Sequence, residues 1–195
     1  IDSYQQSLKI KPDNADAYLN MGNALSNKGD VDAAIDSFKK ALKIKPDYAE
    51  AYYSMGAALN DKGALEAAID SYKKALKINP DYAEAYYNMG NTLKDKGELE
   101  SAINSYKQAL KNKPDFVEAY YNMAGVLMDK GDLEAAIDSY QQTIKIKPGL
   151  AEAYNAMGTA LKNKGDLETA IDSFKKALKI KPDYADAYIN MGNVW

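Results

Sequence analysis

Every proline in the chain, Pro12, Pro46, Pro80, Pro114, Pro148 and Pro182, belongs to one series spaced by 34 residues. A domain built around a single irregular core has no reason to place its helix breakers so regularly. A chain made of one supersecondary unit copied in register does. Gly29, Gly63, Gly97, Gly131 and Gly165 keep the same period, as do Met21, Met55, Met89, Met123, Met157 and Met191. Length therefore does not set the number of domains. Each unit is expected to touch only its neighbours, and residues 1–195 read as one array.

Within a unit the apolar residues carry the period of a helix. Tyr52, Met55, Gly56 and Leu59 fall at i, i+3, i+4 and i+7. A second helix follows, with Ala67, Ala68, Ile69, Tyr72, Ala75 and Leu76 as its apolar stripe. Asp70 and Lys74 form an i,i+4 pair on its exposed side, worth ~0.3 kcal/mol. Gly63 lies just past the first helix, where a positive φ is wanted, and Lys62 suits the negative end of that helix's dipole. Pro80 ends the second helix, Asp81 or a neighbour is expected to cap the next, and Glu84 sits in its first turn. This phase gives full units 15–48, 49–82, 83–116, 117–150 and 151–184, with partial units 1–14 and 185–195. The chain opens on Ile1 in mid-pattern, so it reads as a piece of something longer.

The succession Tyr86-x2-Met89-Gly90-x2-Leu93, then Ala102-x3-Tyr106, then Pro114 resembles the tetratricopeptide repeat, whose pattern is W-x2-L-G-x2-Y, A-x3-F, P. The resemblance covers the whole chain. Departures keep size in its place: Tyr for Trp, Met for Leu, Leu for Tyr, and Ala124 for the tight-packing glycine of one unit. It implies an all-α fold, a right-handed superhelical α-solenoid of antiparallel helix pairs with the first helices on the concave side. It also implies a surface that holds peptides or partner proteins there.

Gly22, Gly56, Gly90, Gly158 and Gly192 occupy helix interiors, where glycine costs ~1 kcal/mol relative to alanine. Close approach of a partner helix is the expected return, and Ala34, Ala68, Ala102, Ala136 and Ala170 are small for the same reason. Tyr18, Tyr52, Tyr86, Tyr120 and Tyr154 on first helices, with Phe38, Tyr72, Tyr106, Tyr140 and Phe174 on second helices, are expected to fill the core rather than to stack on bases.

Composition removes several classes of function. With no cysteine and no histidine, the chain lacks thiolate nucleophiles, imidazole bases and the commonest transition-metal ligands. A net charge of -3 supplies no field for a phosphate backbone, so no nucleic acid is expected. No apolar run approaches the ~18 residues of a membrane-spanning helix, so no membrane insertion is expected. Ser37, Ser71, Ser105, Ser139 and Ser173 recur with no base to activate them, and no glycine-rich phosphate loop exists. Neither enzymatic activity nor a metal or other cofactor is expected.

What remains is the surface. In the first full unit Asp16, Leu19, Asn20, Asn23, Ser26 and Asn27 share a face beside the core stripe. Followed along the repeats, that face gives the column Asn20, Ser54, Asn88, Asn122, Ala156, Asn190, and a second column Asn23, Ala57, Asn91, Gly125, Thr159, Asn193. Asparagine is a poor helix former, and a carboxamide matches the C=O and N–H of a peptide at ~0.5–1.5 kcal/mol per bond. Tyr87-Asn88-Met89-Gly90-Asn91-Thr92-Leu93-Lys94 resembles repeats of the O-linked N-acetylglucosamine transferase family, in which an asparagine ladder holds substrate peptides. The resemblance carries over to Asn20, Asn88, Asn122 and Asn190 and is interrupted at Ser54 and Ala156. Tyr53, Tyr87 and Tyr121 stand beside the ladder. Two alternatives stay open: the asparagines bond across repeats and stiffen the stack, and the tyrosines pack between first helices.

Asp16, Glu50, Glu84, Glu118 and Glu152 in first turns leave no basic clamp for a C-terminal carboxylate, so the expected guest is a protein or peptide of neutral to basic character. Lys39, Lys40, Lys43 and Lys45 crowd the end of a second helix as a solvated face. Three functions fit: an interaction scaffold, the substrate-recruiting arm of a larger enzyme such as a glycosyltransferase, and head-to-tail self-association through residues 1–14 and 185–195. Gly125, Met128, Asn112 and Pro148-Gly149-Leu150 depart from the common unit, as natural drift would leave them.

Overall fold

The computed structural model describes residues 1–194 and holds twelve helices and no strand among them. The chain divides into two compact units, Ile1–Ser101 and Ala102–Trp195. The first contains α1 (Asp2–Ile10), α2 (Ala15–Asn27), α3 (Val31–Ile44), α4 (Ala49–Asp61), α5 (Leu65–Ile78) and α6 (Ala83–Asp95). The second contains most of α7 (Leu99–Asn112), then α8 (Val117–Lys130), α9 (Leu133–Ile146), α10 (Ala151–Lys164), α11 (Leu167–Ile180) and α12 (Ala185–Gly192). First helices start at Ala15, Ala49, Ala83, Val117, Ala151 and Ala185, the phase expected from the prolines.

Each hairpin turns on a glycine held at positive φ, 78° at Gly63 and 82° at Gly131. The Gly63 amide donates to the Asn60 carbonyl at 2.8 Å and Ala64 to Leu59 at 2.9 Å, closing the Schellman pattern that satisfies the last carbonyls of α4. Gly131 and Asp132 do the same for α8 through Met128 and Leu127. The start of the first helices is less regular than expected. Asn14 caps α2 by accepting from the Ala17 amide at 3.1 Å, but Asp81 caps nothing. The N-cap positions of α4, α6, α8 and α10 are Tyr48, Tyr82, Phe116 and Leu150, none with a side-chain cap bond. Three of these positions carry a ring in place of a capping oxygen and Leu150 an aliphatic side chain, and Lys45 lies 4.1 Å over the Tyr48 ring.

Helix-interior glycines sit under aromatic rings. A Cβ at Gly22 would come 2.5 Å from Phe38, at Gly56 2.7 Å from Tyr72, and at Gly158 2.6 Å from Phe174. Phe38, Tyr72 and Phe174 are essentially fully buried. The missing side chain is therefore what lets each second helix seat its ring against the first. The recurrent serines face inward: Ser37, Ser71, Ser139 and Ser173 are buried and donate to the carbonyl four residues back at 2.8–2.9 Å.

Some expectations for the stripes need correction. Ser71 takes a place in the buried stripe of α5, and Ala67 is exposed. Leu19 belongs to the core, 3% exposed and clustered with Phe38, Ala51 and Ala58, because the following hairpin covers it. Tyr18, Tyr52 and Tyr154 are half-buried boundary residues, not core. A lysine covers two of these rings, Lys40 over Tyr18 and Lys74 over Tyr52, each at 5.7 Å. Asp70 and Lys74 do not pair; in sister units the pair is i,i+3, Asp36 with Lys39 at 3.7 Å and Asp172 with Lys175 at 4.0 Å.

Successive units share a cross-link that the sequence reading missed. Lys62 pairs with Asp32 and Lys96 with Glu66 in the first unit, and Lys164 pairs with Glu134 in the second. Within the first unit α2 touches α4 and α4 touches α6, while no comparable contact joins α3 to α5 among the described residues. In the second unit α10 likewise touches α12, and α9 stays apart from α11. In the first unit, and at α10 and α12 in the second, the first helices thus take the closer-packed side.

Candidate functional site

The closer-packed side of the first unit carries a groove of about 530 Å³. Asn23, Ser26 and Asn27 of α2 form one bank, and Glu50, Tyr53, Ser54, Ala57 and Asp61 of α4 form the other. Phe38 lies beneath, and Tyr82, at the entry to α6, closes one end. Helical spacing explains the assembly. Positions 23, 26 and 27 share one face of α2, and 50, 53, 54, 57 and 61 share one face of α4. The contact of α2 with α4 sets these faces side by side.

Polar groups within the groove are differently engaged. The side chains of Asn20, Asn23 and Asn27 make no hydrogen bond among the described residues; Asn20 and Asn27 are exposed and Asn23 is half-buried. Asn88, by contrast, donates its Nδ2 to the Tyr53 hydroxyl at 2.9 Å. The Tyr53 ring packs 4.9 Å from that of Tyr82 and 6.1 Å from that of Tyr72. Asn60 accepts from the hydroxyl of the buried Thr92 at 2.8 Å. Both alternatives left open by the sequence thus occur here, an asparagine bonded across repeats and a tyrosine packed between them.

Electrostatics along this side are acidic. Burial, the neighbouring Tyr53 and the carboxylates Glu50 and Glu84 push the Tyr82 phenol up to about 12. Burial and Glu84 also raise Tyr53, against a lowering by its bond to Asn88. Tyr48 donates to Asp16 at 2.7 Å, and burial together with that carboxylate pushes it up to about 12. All three phenols are held as neutral hydroxyls. The column Tyr48, Tyr82, Phe116, Leu150, Tyr184 that supplies two of them went unread in the sequence, although its 34-residue period was visible there.

The second unit places its candidates differently. Asn190 donates Nδ2 to Asn155 Oδ1 at 3.1 Å, again a bond between successive first helices. Tyr121 packs edge-on to Tyr140 with centroids 5.6 Å apart. Asn122 is half-buried and Asn193 exposed; in the first unit Tyr87 and Asn91 are half-buried. Gly125, Met128 and Ala156 make this stretch less polar than its counterpart. Smaller hollows also lie between successive second helices. One, floored by Met55 and Leu59, measures about 370 Å³, and the equivalent over Met157 about 410 Å³. Lysine and aspartate rim both, Lys39, Asp70 and Lys74 in the first.

No helix among the described residues is long and apolar enough to cross a membrane. The TPR repeat family model matches residues 1–29, 22–60, 56–97, 90–131, 124–165 and 160–195, which together span the chain. Among solved structures, MamA is 34% identical with a TM-score of 0.81, covering 88% of this chain and 93% of that one. YrrB, described as a TPR protein with an unusual peptide-binding site, is 25% identical with a TM-score of 0.81 over 95% of this chain and 96% of its own. The pilF protein of Pseudomonas aeruginosa, 18% identical, shares the fold with a TM-score of 0.78 over 92% of this chain and 82% of that one. A comparison with curated proteins returns no match. None of the matches indicates a catalytic family. With a repeat model fitting from end to end and helix pairs in the same phase, the chain belongs to the tetratricopeptide-repeat family, an all-α helical-repeat solenoid of the kind that serves protein and peptide interaction.

Proposed function

We propose that the chain is an interaction scaffold that holds an extended peptide, or an extended segment of a partner protein, against its first helices. The observation that carries this reading is the groove between α2 and α4, where the carboxamides of Asn23 and Asn27 stand unbonded beside the hydroxyl of Tyr53. Unbonded donors and acceptors on a rigid helix face can pair with a peptide backbone without first breaking a bond in the scaffold. The peptide-binding site described for YrrB supports the same use of the fold. Asp16, Glu50 and Glu84 favour a guest of neutral to basic charge.

The likeness to the glycosyltransferase repeats assigns peptide contact to the whole asparagine ladder. In this chain we assign it first to Asn20, Asn23 and Asn193, whose side chains make no hydrogen bond among the described residues, and then to the remaining rungs Asn91 and Asn122, with Tyr53, Tyr87 and Tyr121 supplying apolar walls. Asn88 and Asn190 are shared between guest and stack, since each already bonds its neighbour. The test is capture of a peptide library by wild type and variants. Asn20→Ala with Asn23→Ala should weaken capture and leave the melting curve in place. Asn88→Ala should lower stability by ~1 kcal/mol through the lost bond to Tyr53. Undiminished capture by the Asn20/Asn23 variant would remove the groove from the account.

A second reading is end-to-end association. Ile189 is 60% exposed and Tyr188 53%, whereas Leu19, which occupies the same position as Ile189 within its unit, is 3% exposed under the following hairpin. The repeat geometry offers α12 the cover of a following hairpin, and end-to-end association with a second copy would supply one.

A further inference from the structure

We propose, resting on the peptide-groove reading above, that the hollow between α2 and α4 is a subsite for one cationic side chain of the guest, a lysine or an arginine. Three features of the hollow name that chemistry. Glu50 and Asp61 stand on the same bank, three turns of α4 apart, and neither forms an ion pair or side-chain hydrogen bond among the described residues. Elsewhere in the same unit, acidic side chains at the seams between repeats do find lysines, Asp32 with Lys62 and Glu66 with Lys96. The two groove carboxylates are thus left over by the scaffold's own pairing.

The second feature is aromatic. Tyr53 and Tyr82, ring centroids 4.9 Å apart, line the same hollow as Glu50 and offer π surface against which an ammonium or guanidinium can rest. The third is acceptor chemistry without competing cations. Asn23, Ser26 and Asn27 supply oxygens on the opposite bank, and no lysine or arginine lines the hollow. A phosphate or carboxylate would meet two carboxylates and no counter-charge. A side chain that is apolar in its stem and cationic at its tip fits the rings and Glu50, while Asp61, about 16 Å further along α4 by the helical rise, adds only its longer-range field.

The second unit is a natural comparison. Three repeats on, Asn155 stands for Tyr53 and Ala156 for Ser54, and Asn155 is engaged with Asn190. Neither second-unit counterpart keeps both rings, since Leu150 follows Tyr121 and Asn155 precedes Tyr184, so the subsite belongs to the first unit.

Binding of blocked host peptides of serine, alanine and glycine, identical except for a central lysine, acetyl-lysine or glutamate, tests the assignment on the full chain. Backbone amide shifts followed by NMR give both location and affinity. The lysine peptide should shift the amides of Asn23, Tyr53, Ala57 and Tyr82, and the acetyl-lysine peptide should bind about tenfold more weakly. Glu50→Gln with Asp61→Asn should bring the lysine peptide down to the acetyl-lysine level while leaving the affinity of the acetyl-lysine peptide unchanged. Equal affinity of all three peptides, with shifts along α2 and α4, overturns the cation subsite and spares the groove. Shifts confined to the second helices, or absent with every peptide, overturn both.

Discussion

Replacing glycine by alanine at two helical positions of this chain should move stability in opposite directions. Gly56 and Gly125 are both helical, and each forfeits ~1 kcal/mol of helix propensity relative to alanine. An alanine Cβ at position 125 meets nothing within 4 Å, so Gly125→Ala should stabilise by ~1 kcal/mol. At position 56 the new methyl would lie 2.7 Å from Tyr72 Cε1 and 2.8 Å from Cδ1. The Tyr72 ring is 1% exposed and has no free volume to retreat into, which places the overpacking cost at ~2–3 kcal/mol. Net of the propensity gain, Gly56→Ala should destabilise by ~1–2 kcal/mol. At ~2–4 °C per kcal/mol for a chain of this size, the two variants should melt on opposite sides of wild type and several degrees apart. Thermal unfolding followed by circular dichroism reads this directly. A Gly56→Ala variant that melts as high as Gly125→Ala would show that the ring yields freely, and the close approach of helix to ring would lose its role in the core.

Two further outcomes are expected. Tyr82 is raised from 10.0 to about 12 in the folded chain, so the unfolded chain loses that proton first and the contribution of this phenol to stability disappears as pH climbs from 10 to about 12. Urea midpoints should fall across that window, and Tyr82→Phe should make the fall shallower; an unchanged slope would refute the assignment. For end-to-end association, sedimentation should show concentration-dependent growth that Ile189→Lys suppresses, and a strictly monomeric chain at the highest concentration would dismiss the idea.

The repeat and the use of glycine for close helix approach were legible because each rests on a single repeated local requirement, although the ring that each glycine admits was not. Pro and Gly dictate backbone, and a missing Cβ at Gly22, Gly56 or Gly158 has one use inside a packed helix. The surface was harder to read because its chemistry depends on which neighbour arrives. Leu19 and Tyr53 stand at the same position within their repeats, yet Leu19 is sealed by the next hairpin while Tyr53 keeps a face on the groove. Asn20 and Asn88 are likewise equivalent by sequence, and only the Tyr53 hydroxyl beside Asn88 separates a bonded carboxamide from an unbonded one. The N-cap column went unread for a related reason. Asp81 has the right chemistry for a cap, but the position itself is taken by Tyr82, whose ring is worth more buried against Tyr53 than a hydroxyl would be on one amide.

The lysine that closes each first helix and the acid that opens the preceding second helix meet at the seam between units, as Lys62 meets Asp32 and Lys164 meets Glu134. Every full unit carries both halves of that junction, so a unit added in register brings its own ion pair to the seam. A lineage bearing such a gene is free to gain or shed thirty-four residues at a stroke, lengthening or shortening the molecule by recombination with no new seam to invent.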